Sequence, residues 1–114
     1  MSAVYVTNLT VNAGADFDQT FTLENSQSNT TLNLSGYTAQ AQMRKHSGSS
    51  SSVAFTTTIP NASFGKVRLF LTSEQTSNIK PGRYVYDVVI TNNSSGSKIR
   101  VIEGMVLVRE GVTR

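Results

Sequence analysis

The side chains that could carry out chemistry are few and widely separated. There is one histidine, His46, and no cysteine. A catalytic or metal-bound histidine needs partners, either a nucleophile that it can deprotonate or further metal ligands. Asp16 and Asp18 form the one close acidic pair, but Ca²⁺ needs about six to eight oxygen ligands. We therefore favour a solvated strand end over a calcium site and predict that the protein binds no metal.

The other acidic residues do not form a recognisable catalytic pair. They are dispersed along the chain, at Glu24, Glu74, Asp87, Glu103 and Glu110. Two of them could still meet in space, as the two carboxylates of a glycosidase do. The sequence has neither a glycine-rich phosphate-binding loop nor a nucleophile elbow. It thus favours a protein that is not an enzyme and that uses no cofactor.

Tyr84 and Tyr86 admit two interpretations. Their rings could stack on a carbohydrate, or they could fill the core while a hydroxyl bonds to nearby backbone, as in the tyrosine corner of immunoglobulin-type sandwiches. A Pro-Gly sequence precedes this strand, which favours the corner. Asp87 lies on the opposite face of the strand, where we expect it to be exposed or paired with Arg68 or Arg100.

Charge and hydropathy argue against two classes of partner. The formal net charge is +3, and among the ten basic residues only Arg44 and Lys45 are adjacent. Nucleic-acid binders cluster their basic residues on one face, so we expect no nucleic-acid partner. No apolar run approaches the roughly 20 residues of a membrane span, and the N-terminus lacks the pattern of a signal peptide. We therefore expect no membrane association.

The elements that position these residues follow a period of two, which is typical of strands. The predicted strands cover 4–11, 17–23, 32–34, 37–44, 53–59, 66–71, 84–90 and 98–109. The polar segments 25–30 and 47–52 are predicted loops. Thr72, with Gln75 three residues later, predicts a capping box and one helical turn from Ser73 to Asn78.

This spacing of about seven or eight short strands predicts an all-β fold. We expect one domain over residues 1–114, an antiparallel immunoglobulin-like β-sandwich with one short helical turn. The residues predicted to be largely buried are Phe21, Tyr37, Ala39, Ala41, Val67, Leu69, Leu71, Tyr84, Tyr86, Val88 and Val101.

The first and last strands are unusually apolar for strands at the edge of a sandwich. The first contains neither charge nor proline, and the last ends in a continuous apolar run. Exposed edges of this kind invite pairing, so we expect a neighbouring protein to cover them. The alternative is that the two segments cover each other within one domain. The candidate contact residues are Val4, Tyr5, Val6, Leu9, Val11, Met105, Val106, Leu107 and Val108.

Several segments together resemble a known family. They are Leu32-Asn33-Leu34-Ser35-Gly36-Tyr37-Thr38, Gln42-Met43-Arg44-Lys45, Leu71-Thr72-Ser73-Glu74-Gln75 and Pro81-Gly82-Arg83-Tyr84-Val85-Tyr86-Asp87. In this order they resemble the immunoglobulin-like domain of phage baseplate upper proteins and the related small virion structural proteins of T4-like cyanophages. The resemblance covers about Val4 to Val108 and includes no catalytic residue.

The resemblance implies a non-enzymatic virion structural protein of a tailed bacteriophage, in the tail or baseplate. Its partners would be other virion proteins, and the particle would hold multiple copies. Assembly in the bacterial cytoplasm fits the lack of cysteine and of a signal peptide. Two alternatives stay open, a capsid decoration or neck protein and a carbohydrate-binding or host-attachment module.

Overall fold

The protein is an all-β sandwich of two sheets joined by short connections. The structure, a computed structural model, describes residues 5–25, 30–46 and 48–112. Its strands are β1 (Tyr5–Val6), β2 (Leu9–Asn12), β3 (Phe17–Thr22), β4 (Glu24–Asn25), β5 (Thr30–Thr31), β6 (Tyr37–Arg44), β7 (Val53–Ala54), β8 (Thr56–Asn61), β9 (Lys66–Leu71), β10 (Gly82–Asn92) and β11 (Lys98–Arg109). One helix, α1 (Ser73–Ser77), and a 3₁₀ turn over Ala62–Phe64 complete the described elements.

The two sheets differ in width. The larger has the order β1-β11-β10-β6-β7, with β2 also paired to β11, and the smaller has the order β3-β9-β8. Strands β4 and β5 form a separate small hairpin. All pairings are antiparallel except those of β1 and β2 with β11, which are parallel. The predicted all-β sandwich with one short helical turn is confirmed.

The segment predicted as one strand over 53–59 is divided between the sheets. Its first part, β7, pairs with β6, and its second part, β8, pairs with β9. Phe55 lies at the crossing, where its ring centroid is 5.8 Å from that of Phe17 and 6.3 Å from that of Tyr86. The change of sheet thus carries a large aromatic side chain into the core.

The predicted strand over Leu32 and Leu34 is wrong. The strand residues of this region lie earlier, where Glu24 pairs with Thr31. Leu34 is nevertheless buried, and its N–H donates to the carbonyl of Ala62 at 2.8 Å. Leu34 is thus buried against the 3₁₀ turn that connects β8 and β9, and it does not belong to a strand. Residues 26–29 and Ser47 of the two predicted loops lie outside the described residues.

The core lies between the sheets and follows the predicted alternation. Eight of the eleven predicted core residues are buried, whereas Phe21, Tyr37 and Ala39 are half-buried and pack against the core. The alternation fails in β11, where Val101 and Ile102 are both buried. A register shift in the β10–β11 pairing at this level explains the failure, because a bulge places one extra residue in a strand.

The helical turn is built as predicted and ends one residue earlier. The Thr72 hydroxyl accepts from the Gln75 N–H at 3.2 Å, and the Gln75 side chain accepts from the Thr72 N–H at 2.9 Å. Thr76 is buried, and its hydroxyl donates to the Ala15 carbonyl at 2.8 Å and accepts from the Gly14 N–H at 3.0 Å. The turn is therefore fastened over the connection between β2 and β3.

Candidate protein-interaction surface

The apolar run at the end of β11 is buried on one face within the chain. Val106 and Val108 point inward and are fully buried, whereas Met105 and Leu107 point outward and are 49% and 44% exposed. This division follows from the pleat, since successive side chains of a strand lie on opposite faces. Two of the four residues are therefore available to a neighbouring molecule.

The first strand of the prediction is divided in the same way. Leu9 and Val11 in β2 lie opposite Val106 and Val108 and are buried. To that extent the two segments do cover each other within one domain. In β1, by contrast, Tyr5 and Val6 are 39% and 75% exposed. Val4, the remaining candidate contact residue, lies outside the described residues.

Four exposed apolar side chains lie close together on the outer face of the larger sheet. Met105 lies directly opposite Val85, and Leu107 is the next outward residue along β11. Val6 pairs with Glu103, the outward residue before Met105. We call Val6, Val85, Met105 and Leu107 the outer stripe. Val85 was not predicted from the sequence, because its contribution depends on lying beside Met105.

Two shallow grooves flank the outer stripe. The larger has a volume of about 690 Å³ and is lined by side chains of β6, β10 and β11, together with His46. The smaller, about 300 Å³, lies between the stripe and β2. Met105 lines both grooves. An apolar centre with a polar rim is the usual composition of a protein–protein contact.

The charges of the larger groove are mostly paired with each other. The Arg100 guanidinium lies 3.3 Å from the Asp87 carboxylate and 3.6 Å from the Glu103 carboxylate. Arg44 donates to the carbonyl of Ser49 at 2.6 Å and to the amide oxygen of Gln42 at 3.1 Å. Of the two partners predicted for Asp87, Arg100 is therefore the correct one. The larger groove therefore has a polar rim beside the outer stripe.

Beneath the stripe, β1 and β2 run alongside β11 in parallel, and the chain between them lies very close to β11 at Thr7. A β-carbon at Gly104 would overlap the carbonyl oxygen of Thr7. The Tyr86 hydroxyl donates to the same carbonyl at 2.7 Å, and the Asn8 side chain accepts from the Met105 N–H at 3.1 Å. Burial raises the pKa of the Tyr86 phenol. We call this arrangement the N-terminal crossing, and it holds Val6 and Met105 near each other.

Sequence reasoning missed the N-terminal crossing. One signal was present, because a glycine inside a strand often marks the close approach of another backbone. Gly104 lies inside an otherwise apolar strand. Its partner is the break at Thr7 and Asn8, which divides the strand predicted over 4–11 into β1 and β2.

Tyr84, the other buried tyrosine of β10, forms the predicted tyrosine corner. Tyr84 is buried, and its hydroxyl donates to the Lys80 carbonyl at 2.6 Å. The Lys45 ammonium lies 4.7 Å from the centre of its ring. With Tyr86 buried as well, both rings fill the core and do not present a stacking platform.

The other candidate sites remain separate. Asp16 accepts from the Ser73 N–H at 2.7 Å, whereas Asp18 makes a two-bond pair with Arg68 at 2.8 and 2.7 Å. This pairing holds the pKa of the Asp18 carboxyl below its usual range. His46 is exposed at the rim of the larger groove. Within residues 5–25, 30–46 and 48–112, no three His, Cys, Asp or Glu side chains are grouped to hold a metal.

Comparisons with known proteins add little to this geometry. No family model and no curated protein matches the sequence. Among solved structures, the chain is similar to part of InlP from Listeria monocytogenes, with 19% identity, a TM-score of 0.49, and coverage of 90% of this chain and 26% of that one. A family 123 glycoside hydrolase from Clostridium perfringens gives 10% identity, a TM-score of 0.43, and coverage of 96% and 24%.

The chain thus spans about a quarter of the length of these two structures. A likeness this distant carries no information about function. Among the described helices, none has the length and apolar character needed to cross a bilayer.

Proposed function

We propose that the protein is a non-enzymatic structural component of a tailed bacteriophage virion, placed in the tail or baseplate. It packs against other virion proteins in multiple copies, after assembly in the cytoplasm of the host. The observation that carries this proposal is the outer stripe, an exposed apolar row on a face whose other side chains are mostly polar. The link to phage particles rests on the sequence resemblance.

The outer stripe supports a contact role because exposed apolar groups gathered in one place mark interaction surfaces more often than isolated ones. Val85, Met105 and Leu107 lie on the two most extensively paired strands of the larger sheet. Such a rigid platform loses little conformational entropy when a partner binds. We expect the contact to bury on the order of 1,000 Å² or more, the threshold for a specific interface.

A non-enzymatic role is supported by the way four of the described acidic side chains are used. Asp16 holds the start of α1, Asp18 pairs with Arg68, and Asp87 and Glu103 share Arg100. Each of these carboxylates has a structural partner in the folded chain. Host attachment through stacked sugars loses its main support, since the rings of Tyr84 and Tyr86 lie in the core.

The test is incorporation into particles. In cells producing virions without the endogenous protein, we expect the wild-type chain to be incorporated, and the double variant Met105→Glu/Leu107→Glu to be excluded at least about tenfold. Two desolvated charges cost more than the roughly 1.4 kcal/mol that a tenfold change represents. Quantitative mass spectrometry of purified particles measures the ratio.

The matched control is Thr38→Glu/Gln40→Glu, which adds the same charge to the outer face of β6, two strands away from β11. We expect this control to be incorporated as the wild type is. Circular dichroism establishes that both double variants are folded. Absence of the wild-type protein from purified virions would overturn the proposal, and its position in a particle map separates a tail or baseplate protein from a capsid decoration or neck protein.

A further inference from the structure

The edges of the two sheets are not equally protected against pairing. At one edge of the smaller sheet, β8 contains Pro60 and a register shift between Thr58 and Asn61. In the larger sheet, β7 is two residues long, and the edge formed by β1 and β2 is interrupted at Thr7 and Asn8. Strand β3 runs unbroken for six residues without proline or lysine, and β9 is its one partner among the described strands. Proline, bulges and charged side chains are the usual protections of an edge; β3 has no proline or bulge, and its one charged residue, Asp18, is paired with Arg68.

The backbone groups that face this open edge can be identified. The Leu23 N–H donates to the Gly65 carbonyl at 2.8 Å, on the β9 side. Ladder hydrogen bonds alternate along an antiparallel strand, so the odd-numbered residues of β3 bond to β9. The N–H and C=O groups directed at the open edge are therefore those of Asp18, Thr20 and Thr22.

The inner face of β3 is also incompletely covered. Gln19 lies opposite Leu69, and Phe21 lies opposite Val67. Both β9 residues are fully buried, yet Gln19 is exposed and Phe21 is half-buried. Phe17, at the start of the strand, is buried, so the gap between the sheets is open only at Gln19 and Phe21, where a further strand would cover these two side chains.

We propose that β3 pairs with β3 of a second copy of this chain, antiparallel and across a two-fold axis at Thr20. Registers that place even-numbered residues opposite each other match the outward N–H and C=O groups. Among them, the register that places Thr20 opposite Thr20 uses all three outward residues of both copies, for about six hydrogen bonds. The two smaller sheets then form one continuous six-stranded sheet.

The same register makes the side chains complementary. On the inner face, Phe21 of each copy lies opposite Gln19 of the other and covers it. On the outer face, Asp18 of each copy lies opposite Thr22 of the other. Lys66 donates to the Thr22 hydroxyl at 3.0 Å, so each Asp18 carboxylate meets a lysine across the interface. Opposite charges that meet across neighbouring strands are favourable.

The charges at this contact keep it selective for a second copy. Asp18 is ionised at neutral pH, as an ordinary aspartate is, and its pairing with Arg68 lowers its pKa further. Each copy supplies the Asp18 carboxylate, with its Arg68 partner, and the Lys66 ammonium to matching positions, whereas the residue on the axis, Thr20, is uncharged. One segment therefore provides both halves of a self-complementary surface, as a two-fold interface requires.

Sedimentation analysis of the full chain over a concentration series tests the proposal. We expect a reversible dimer, and we expect Thr20→Pro to raise its dissociation constant at least about tenfold. Two hydrogen bonds are lost per dimer, each worth about 1 kcal/mol. The fold should survive, because proline at this position removes an N–H that faces the open edge and not β9.

A cross-linking variant gives an independent measurement. Paired residues in the hydrogen-bonded positions of an antiparallel ladder have Cα atoms about 5.5 Å apart, within the range of a disulfide. Because the chain has no cysteine, mild oxidation of Thr20→Cys should give a covalent dimer. Thr56→Cys, at the protected edge of the same sheet, is the matched control and should cross-link at least about tenfold more slowly.

Two outcomes would overturn the proposal. One is a monomer at every soluble concentration, and the other is equal cross-linking of Thr20→Cys and Thr56→Cys. The double variant Met105→Glu/Leu107→Glu should dimerise as the wild type does, since the outer stripe lies on the other sheet. An incorrect proposal for the outer stripe would appear in particle incorporation, and an incorrect proposal for the β3 pairing would appear in dimerisation. The two failures are therefore distinguishable.

Discussion

The edge strands β2 and β3 differ in how completely their inward side chains are buried. At the N-terminal edge of the larger sheet, the inward residues Leu9 and Val11 are buried. At the β3 edge of the smaller sheet, the inward residue Phe17 is buried, but Gln19 is exposed and Phe21 is half-buried. The difference lies in what covers each edge. Thr76 fastens the connection between Val11 and Phe17, whereas the described residues place nothing over Gln19. Burial of an edge residue therefore depends on its neighbours and not on its strand.

The largest expected effect comes from breaking the N-terminal crossing. Gly104→Ala should lower the free energy of unfolding by about 3 kcal/mol, because the added methyl group overlaps the backbone of Thr7 and forces the two strands apart. Urea denaturation measures the change. The control is Gly48→Ala, where the new β-carbon meets only the flexible His46 side chain, at 3.6 Å. Equal effects at the two glycines would show that the crossing is not tightly packed.

A matched pair of truncations sharpens the comparison of the two edges. Val11→Ala should cost about 2 kcal/mol of unfolding free energy, the effect of removing two buried methyl groups and leaving a cavity. Gln19→Ala, at the inward position of the open edge, should change it by less than about 0.5 kcal/mol in dilute solution. Thermal unfolding at low protein concentration measures both. A larger loss at Gln19 would mean that the edge is already covered in the monomer.

Removal of the Tyr86 hydroxyl should have a smaller effect. Tyr86→Phe should cost about 1 kcal/mol at neutral pH, since the Thr7 carbonyl loses its buried donor. Tyr84→Phe removes the corresponding bond to Lys80 and serves as a comparison at the other end of the strand. Chemical denaturation of the three proteins in parallel measures the difference.

The same phenol predicts a dependence on pH. Burial raises the pKa of Tyr86 in the folded state above its value of about 10 in the unfolded chain. Between the pKa of the unfolded chain and that of the folded state, the folded state binds more protons than the unfolded one. The free energy of unfolding therefore falls as the pH rises above about 10. The loss of unfolding free energy caused by Tyr86→Phe should therefore be smaller at about pH 11 than at about pH 8, because tyrosine in the unfolded chain ionises with a pKa of about 10. A constant difference between the two proteins would contradict this.

The smallest effect is expected at the single histidine. His46→Ala should change the unfolding free energy by less than about 0.5 kcal/mol, because the side chain is exposed at the rim of a groove. Particle incorporation should also be unchanged. Loss of folding in this variant would mean that the histidine has a structural partner.

Local features of this protein were readable from its sequence. Alternation predicted the buried faces of β6, β9 and β10, because a strand's side chains alternate whatever its partner is. The capping box at Thr72 and the corner at Tyr84 were predictable for a similar reason. In each, the hydrogen bond joins residues three or four positions apart in the chain, so its geometry depends on local sequence alone.

Contacts between distant segments were decided by the tertiary structure. A period of two states which residues share a face, but not which strand lies beside them or in which direction it runs. The parallel pairing of β2 with β11 and the change of sheet at Phe55 were therefore invisible in the pattern. The outer stripe likewise exists only because Val85 and Met105, twenty residues apart in the chain, are placed opposite each other by the β10–β11 register.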